Sequence, residues 1–268
     1  MTGRLGHTFA RLKREGRTGF VAFVTTGFPS VEATLEAVPA LVEGGADVIE
    51  LGVPFSDPIG EGPTIQRASF RALENGVTTE VCLDVLRRLR AGGLAVPVIL
   101  MGYYNPILAY GVDAYCRDAA EAGADGFIVV DLPPEESGPL HTACEANGLS
   151  IIYLLAPTST DERIRQVVKL ASGFIYCLSL TGVTGARDEL QQSLPAFVER
   201  VRKSSGLPIA VGFGISQRRH FEAVGHIADA AVIGSAIVDL MDRSDPSQVV
   251  AKVKEYAEVV TGRRGATA

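Results

Sequence analysis

Glu50-Leu-Gly-Val-Pro-Phe-Ser-Asp-Pro-Ile-Gly-Glu-Gly-Pro-Thr-Ile-Gln66 joins a short apolar strand to a loop rich in proline and glycine. One carboxylate, Glu50, stands inside the apolar run Val48–Leu51, and a second, Glu61, follows in the loop. Burying an ionised group costs several kcal/mol unless it is paired or its pKa shifts. Glu50 therefore reads either as an acid/base group projecting from a strand end or as half of an internal ion pair with Arg or Lys. Two carboxylates meeting over one substrate would supply proton-transfer chemistry. Asp57, in the same loop, has a claim equal to that of Glu61 on composition alone, although Ser-Asp-Pro also commonly caps a turn.

Working outward, short β-branched runs recur near Phe20–Thr25, Val48–Leu51, Val96–Leu100, Gly126–Val130, Ser150–Leu155, Phe174–Leu178, Pro208–Val211 and Ala230–Ile233. Helix-like stretches alternate with them, among them Val31–Glu43, Ala114–Ala122, Arg163–Leu170, Leu194–Lys203 and Gln248–Val260. Strands apolar on both faces and alternating with helices mean a parallel sheet covered by helices. Eight such units in 268 residues predict an α/β fold, a (β/α)8 TIM barrel in which residues 1–268 form one domain. A weak repeat supports this: Gly45-Ala-Asp47, Gly123-Ala-Asp125 and Ala228-Asp-Ala230 each place an Asp just before a strand. Leu5, Phe9 and Leu12 share one helical face, predicting an extra N-terminal helix against the barrel. The longest interval follows strand 2 and holds the Pro54–Pro63 loop with helices over Thr64–Glu74 and Thr79–Arg90. In a barrel this insertion lies over the C-terminal face, where active sites are built.

Composition narrows the function. Hydrophobic residues at 47% and charged residues at 21% describe a soluble globular chain, and a net charge of -6 argues against a nucleic-acid footprint. No run approaches the ~18 apolar residues of a membrane span, and the basic N-terminus lacks the apolar core of a secretory signal. Cys82, Cys116, Cys144 and Cys177 are widely spaced, which predicts reduced, buried thiols in a cytoplasmic protein and no metal site. His7, His141, His220 and His226 have no partner spacing and read as surface residues.

Three glycine-rich turns end successive late strands: Thr181-Gly-Val-Thr-Gly-Ala-Arg187, Gly212-Phe-Gly-Ile-Ser216 and Gly234-Ser-Ala-Ile237. Helix N-termini behind such turns favour an anion, and the loops after strands 7 and 8 of these barrels recurrently bind phosphate. Phe23, Leu100, Tyr103, Ile128 and Tyr176, at other strand ends, could form a slot for a flat aromatic group or could simply be core.

These segments, in this order, resemble the tryptophan synthase alpha subunit family. The resemblance runs from Phe20-Val-Ala-Phe-Val-Thr-Thr-Gly-Phe-Pro29 to Gly234-Ser-Ala-Ile-Val238. It is carried most specifically by Glu50–Pro58, Gly62–Gln66, Gly182–Gly185 and Gly212–Ser216. It implies a lyase that cleaves indole-3-glycerol phosphate to indole and glyceraldehyde 3-phosphate by retro-aldol chemistry in tryptophan biosynthesis. It implies that Glu50 moves protons, with Glu61 as second carboxylate. It assigns Gly185, Phe213, Gly214, Gly234 and Ser235 to the phosphate, and Phe23, Leu100 and Tyr176 to the indole pocket. Thr184 falls on the mobile loop that closes over the site. It implies a beta-subunit partner in an alpha2beta2 heterotetramer, with pyridoxal phosphate in that partner and no cofactor in this chain. The family usually carries Ala-Asp-Gly-Pro where this chain has Gly60-Glu61-Gly62-Pro63, so the loop acid is longer by one methylene. That departure leaves two further expectations open: a stand-alone indole-releasing lyase of secondary metabolism, or a weakly active alpha subunit serving mainly as an allosteric partner.

Overall fold

The structure is a computed structural model that describes residues 3–179, 187–212 and 214–263. Its strands are β1 (Gly19–Thr25), β2 (Val48–Gly52), β3 (Val98–Gly102), β4 (Gly126–Val129), β5 (Ser150–Ile152), β6 (Leu154–Leu155), β7 (Ile175–Leu178), β8 (Ile209–Gly212) and β9 (Ala230–Ile233). All pairings are parallel, in the order β5-β4-β3-β2-β1-β9-β8-β7-β6. Only Tyr153 separates the two ends of this sheet, so it is a nearly closed barrel. The sequence predicts one strand over Ser150–Leu155. The chain instead gives its first half to β4, through Ile128 and Ile152, and its second half to β7, through Leu154 and Tyr176. The eight expected strands thus become nine among the described residues without changing the architecture.

The α-helices that clothe the sheet are α1 (Gly3–Glu15), α2 (Val31–Gly44), α3 (Pro63–Glu74), α4 (Thr79–Ala91), α5 (Tyr104–Tyr110), α6 (Val112–Ala122), α7 (Gly138–Ala146), α8 (Asp161–Leu170), α9 (Arg187–Ser204), α10 (Arg218–Gly225), α11 (Ser235–Arg243) and α12 (Val249–Val260). Their starts follow capping chemistry. The Ser30, Thr78 and Thr160 hydroxyls accept the N–H of the third residue of α2, α4 and α8, Ala33, Val81 and Arg163.

Helix α1 closes the N-terminal end of the barrel. Leu5, Phe9 and Leu12 insert among the inward side chains Val21, Val48 and Phe174, with the Phe9 and Phe174 rings 5.6 Å apart. Burial of three such side chains contributes about 1.5–3 kcal/mol each. The repeated Asp explains the strand starts at the same end. Asp47, Asp125 and Asp229 each accept the backbone N–H of the residue opening the neighbouring strand region, Phe20, Val98 and Ile209, at 3.1, 2.9 and 2.8 Å. Each Asp also returns its own N–H to that residue's carbonyl at 2.8 Å. Arg11 and Arg17 neutralise Asp47, Arg4 and Arg90 neutralise Asp125, and Arg202 neutralises Asp229. This double latch fixes register where the barrel begins and leaves the other end free for function.

Side-chain alternation then aims Glu50. On β2, Val48 faces the barrel interior while Ile49 and Leu51 pack outward against the helices. Glu50, two residues after Val48, therefore points inward at the C-terminal mouth. The same alternation corrects one expectation. Leu100 lies in the outer layer between sheet and helices, while Ile99 and Met101 face the interior, Met101 at the cavity.

Candidate active site

A cavity of about 510 Å³ opens at the C-terminal mouth of the barrel. Glu50 and Glu61 meet in it, one from the end of β2 and one from the loop between β2 and α3. Phe23, Met101, Tyr176, Ile65 and Val232 supply its apolar walls. Gly214, Gly234 and Ser235 also line it, with Ser216, Asp239 and Arg243. Of the residues expected from sequence, Phe23, Glu50, Glu61, Tyr176, Gly214, Gly234 and Ser235 are brought together, and Leu100, Tyr103 and Ile128 do not line the cavity. Gly185, Thr184 and Phe213 lie outside the described residues. Tyr103 is buried beside the loop, and Ile128 lies in the barrel interior.

Glu50 is 1% exposed, and neither carboxyl oxygen has a hydrogen-bond partner among the described residues. No Arg or Lys among them pairs with it, so the internal ion-pair reading fails. Burial first, and then the Glu61 carboxylate, push its pKa up to about 8. Burial also pushes Glu61 up to about 7. Two carboxyls sharing a low-dielectric cavity titrate as a pair, one holding a proton that the other has lost. Asp57 differs: it is exposed, accepts the Ser56 hydroxyl at 2.6 Å and does not line the cavity.

Glycines at the strand ends make room for the aromatic walls. A Cβ at Gly212 would fall 2.1 Å from the Tyr176 hydroxyl oxygen, and one at Gly52 would fall 2.6 Å from the Phe23 ring. The rings of Phe23 and Tyr176 can cross the mouth only because both neighbours lack side chains. At the rim, Gly214 has φ +75°, in the left-handed region that favours glycine. Gly234 is the N-cap of α11 and gives it no side-chain cap, and Ser235 and Ala236 of the first turn line the cavity. A helix dipole and N–H groups at a helix start favour an anion.

Sequence reasoning missed Met101, Ile65 and Val232. Period-two alternation from Ile99 would have found Met101, but the sequence does not show which parity of β3 faces inward. Ile65 needed the fold of the loop, since it opens α3 and turns back into the cavity.

The comparisons agree with this geometry. The family model for the tryptophan synthase alpha chain matches residues 9–263. The tryptophan synthase alpha chain of Roseiflexus castenholzii is 51% identical over 97% of this chain and 99% of its own length. A tryptophan synthase of Saccharomyces cerevisiae is 46% identical over 96% of this chain but only 37% of its own length. Among solved structures, tryptophan synthase subunit alpha from Legionella pneumophila superposes with a TM-score of 0.88 at 36% identity, covering 98% of this chain and 100% of that one. Matches of this extent make the chain a carbon–carbon lyase of tryptophan biosynthesis, acting on indole-3-glycerol phosphate. A barrel whose mouth holds one buried and one half-buried carboxyl, matched nearly end to end by these relatives, belongs to the tryptophan synthase alpha chain family.

Proposed function

We propose that Glu50 is the proton-transfer group of the cleavage and that Glu61 stabilises the charge it creates. The observation that carries this reading is the buried, unpartnered Glu50 carboxyl, which shares the cavity with Glu61 among the apolar side chains Phe23, Ile65, Met101 and Val232. The order of the two pKa values supports these roles. Between about pH 7 and about pH 8 Glu50 holds its proton and Glu61 is ionised. Glu50 gives its proton to ring carbon C3, and positive charge spreads to the ring nitrogen. The N–H of that nitrogen donates to the Glu61 carboxylate. The Glu50 carboxylate, now a base, takes the proton of the adjoining hydroxyl. That carbinol carbon becomes the aldehyde of glyceraldehyde 3-phosphate as the carbon–carbon bond breaks, and its electrons return to the ring as indole. The proton count closes, and no cofactor of this chain takes part.

Phe23, Met101 and Tyr176 offer flat apolar walls to the indole ring. The N–H groups about Gly214, Gly234 and Ser235, with those of Gly185 and Phe213, hold the phosphate. A tryptophan synthase beta subunit, carrying the pyridoxal phosphate, consumes the indole in an alpha2beta2 assembly in the cytoplasm. Two observations support a partner: the yeast relative spans far more chain than this one, and Ile59, 87% exposed, sits on the same loop as Glu61. The test is a steady-state lyase assay across pH. We expect kcat/KM to peak between about pH 7 and 8, with Glu61→Ala removing the acid limb. A flat profile in which Glu50→Gln retains turnover within tenfold of wild type rejects the assignment.

A further inference from the structure

We propose that Gly60 and Tyr103 form a seat that sets the reach of Glu61, making Tyr103 a positioning residue for the lyase reaction. The inference rests on the reading that the Glu61 carboxylate serves the ring N–H.

Tyr103 follows β3 directly and holds the loop at two places. Its ring stacks on Phe55 at 5.1 Å and 29° between planes. Its hydroxyl accepts the Gly60 N–H at 2.9 Å. Burial and the nearby Glu61 and Asp131 carboxylates push that hydroxyl up to about 12, so it remains a neutral acceptor through the working pH range.

Glycine at position 60 is not needed for an unusual backbone, because its φ is outside the left-handed region that favours glycine. It is needed for close approach. A Cβ there would lie 2.7 Å from Val130 Cγ1 and 3.1 Å from the Tyr103 hydroxyl. The loop backbone is thus pressed onto the rim beside β3 and β4. The adjoining turn is fixed as well, since the Glu61 N–H donates to the Pro58 carbonyl and the Gln66 amide donates to the Glu61 carbonyl. A void of only about 20 Å³ remains beneath the loop among Phe55, Glu61 and Tyr103.

The consequence concerns arm length. A backbone held against the barrel wall lies farther from the cavity centre, and the residue that follows must span the difference. Glu61 spans it with one methylene more than Asp would have. A side chain at position 60 would lift the loop off Val130 and Tyr103 toward the barrel axis, and the Glu61 carboxylate would then overshoot. Displacement of a catalytic group by ~1 Å lowers turnover by up to ~100-fold.

The test compares kcat and KM for indole-3-glycerol phosphate in Tyr103→Phe, Gly60→Ala, Glu61→Asp, Gly60→Ala/Glu61→Asp and Glu61→Ala, with thermal midpoints to exclude unfolding. Tyr103→Phe keeps the ring on Phe55 and removes only the acceptor. We expect about a tenfold loss of kcat with KM within about twofold, because the phosphate rim is untouched. Gly60→Ala should lose at least as much, and adding Glu61→Asp should restore a large part of that loss. If Tyr103→Phe and Gly60→Ala both keep kcat within twofold while Glu61→Ala loses it, the seat alone is overturned. A double variant no faster than Gly60→Ala overturns it equally. If Glu61→Ala itself keeps near-native kcat, the reading of Glu61 fails and takes the seat with it.

Discussion

Glu50 holds its proton to mildly alkaline pH because water cannot reach it and no cation among the described residues pairs with it. Its folded pKa is raised above the unfolded value, so between about 4.5 and about 8 the folded chain binds a proton that the unfolded chain has released. By linkage, stability is highest below that window and falls as pH rises through it. Glu50→Gln, which cannot ionise, should therefore stabilise the protein by on the order of 3 kcal/mol at pH 7. The gain should vanish near pH 4.5, and Tm measured across pH checks it. The same variant should lose ~10²–10⁴-fold in kcat, the usual contribution of a general acid/base. Stability and activity moving in opposite directions distinguish a functional carboxyl from a structural one. At Gly212 the expectation is steric. Gly212→Ala places a methyl 2.1 Å from the Tyr176 hydroxyl oxygen, so the ring must leave the cavity wall and kcat/KM should fall at least tenfold. Of these two residues only Glu50 was legible as a candidate, because a charge in an apolar strand is visible in one dimension. Gly212 read as part of an anion-binding turn and not as the neighbour of an aromatic wall, since the ring it accommodates lies 36 residues earlier in the chain.

At the scale of elements, the two ends of the barrel are built by different rules. The N-terminal end is latched by Asp47, Asp125 and Asp229 and covered by α1. Asp47→Ala would leave Arg11 and Arg17 without their shared acceptor and free the Phe20 N–H. These arginines are 41% and 31% exposed and partly screened by water, so we expect about 2–3 kcal/mol of destabilisation, less than for a fully buried pair. Urea unfolding with an unchanged m-value is the check. The C-terminal end carries its chemistry on strand ends and on the start of α11. A Cβ at Gly234 would already stand 3.3 Å from Phe23, so Gly234→Val should crowd both the phosphate rim and the ring wall. KM for indole-3-glycerol phosphate should rise at least tenfold, and an unchanged KM would remove Gly234 from the rim. The Asp repeat was visible in the sequence as a pattern. Its meaning was not, because each Asp acts on the start of a neighbouring strand rather than on its own helix.

For the whole molecule, the loop that carries Glu61 also carries Ile59 on its outer side, with Leu108 of α5, 53% exposed, on the same barrel face. A partner that buries Ile59 would press the loop onto its seat, so the lyase rate should rise when a beta subunit binds. Ile59→Asp should reduce that stimulation several-fold by weakening association, as read by the dependence of rate on beta-subunit concentration. The barrel itself follows from the sequence: eight apolar runs alternating with amphipathic segments admit few other arrangements, and each run overlaps the strand or strands that formed, with bounds shifted by up to two residues. Local pattern specifies such elements because strand and helix periodicities are short-range. Sequence also singled out Glu50 and the glycine-rich rim, since charge in an apolar run and clustered glycines are local anomalies. Tertiary structure alone decided that Met101 rather than Leu100 faces the cavity and that Gly60 is pressed against Val130. Each of these depends on inter-strand register and on distances between residues far apart in the chain, and those are fixed only when the barrel closes.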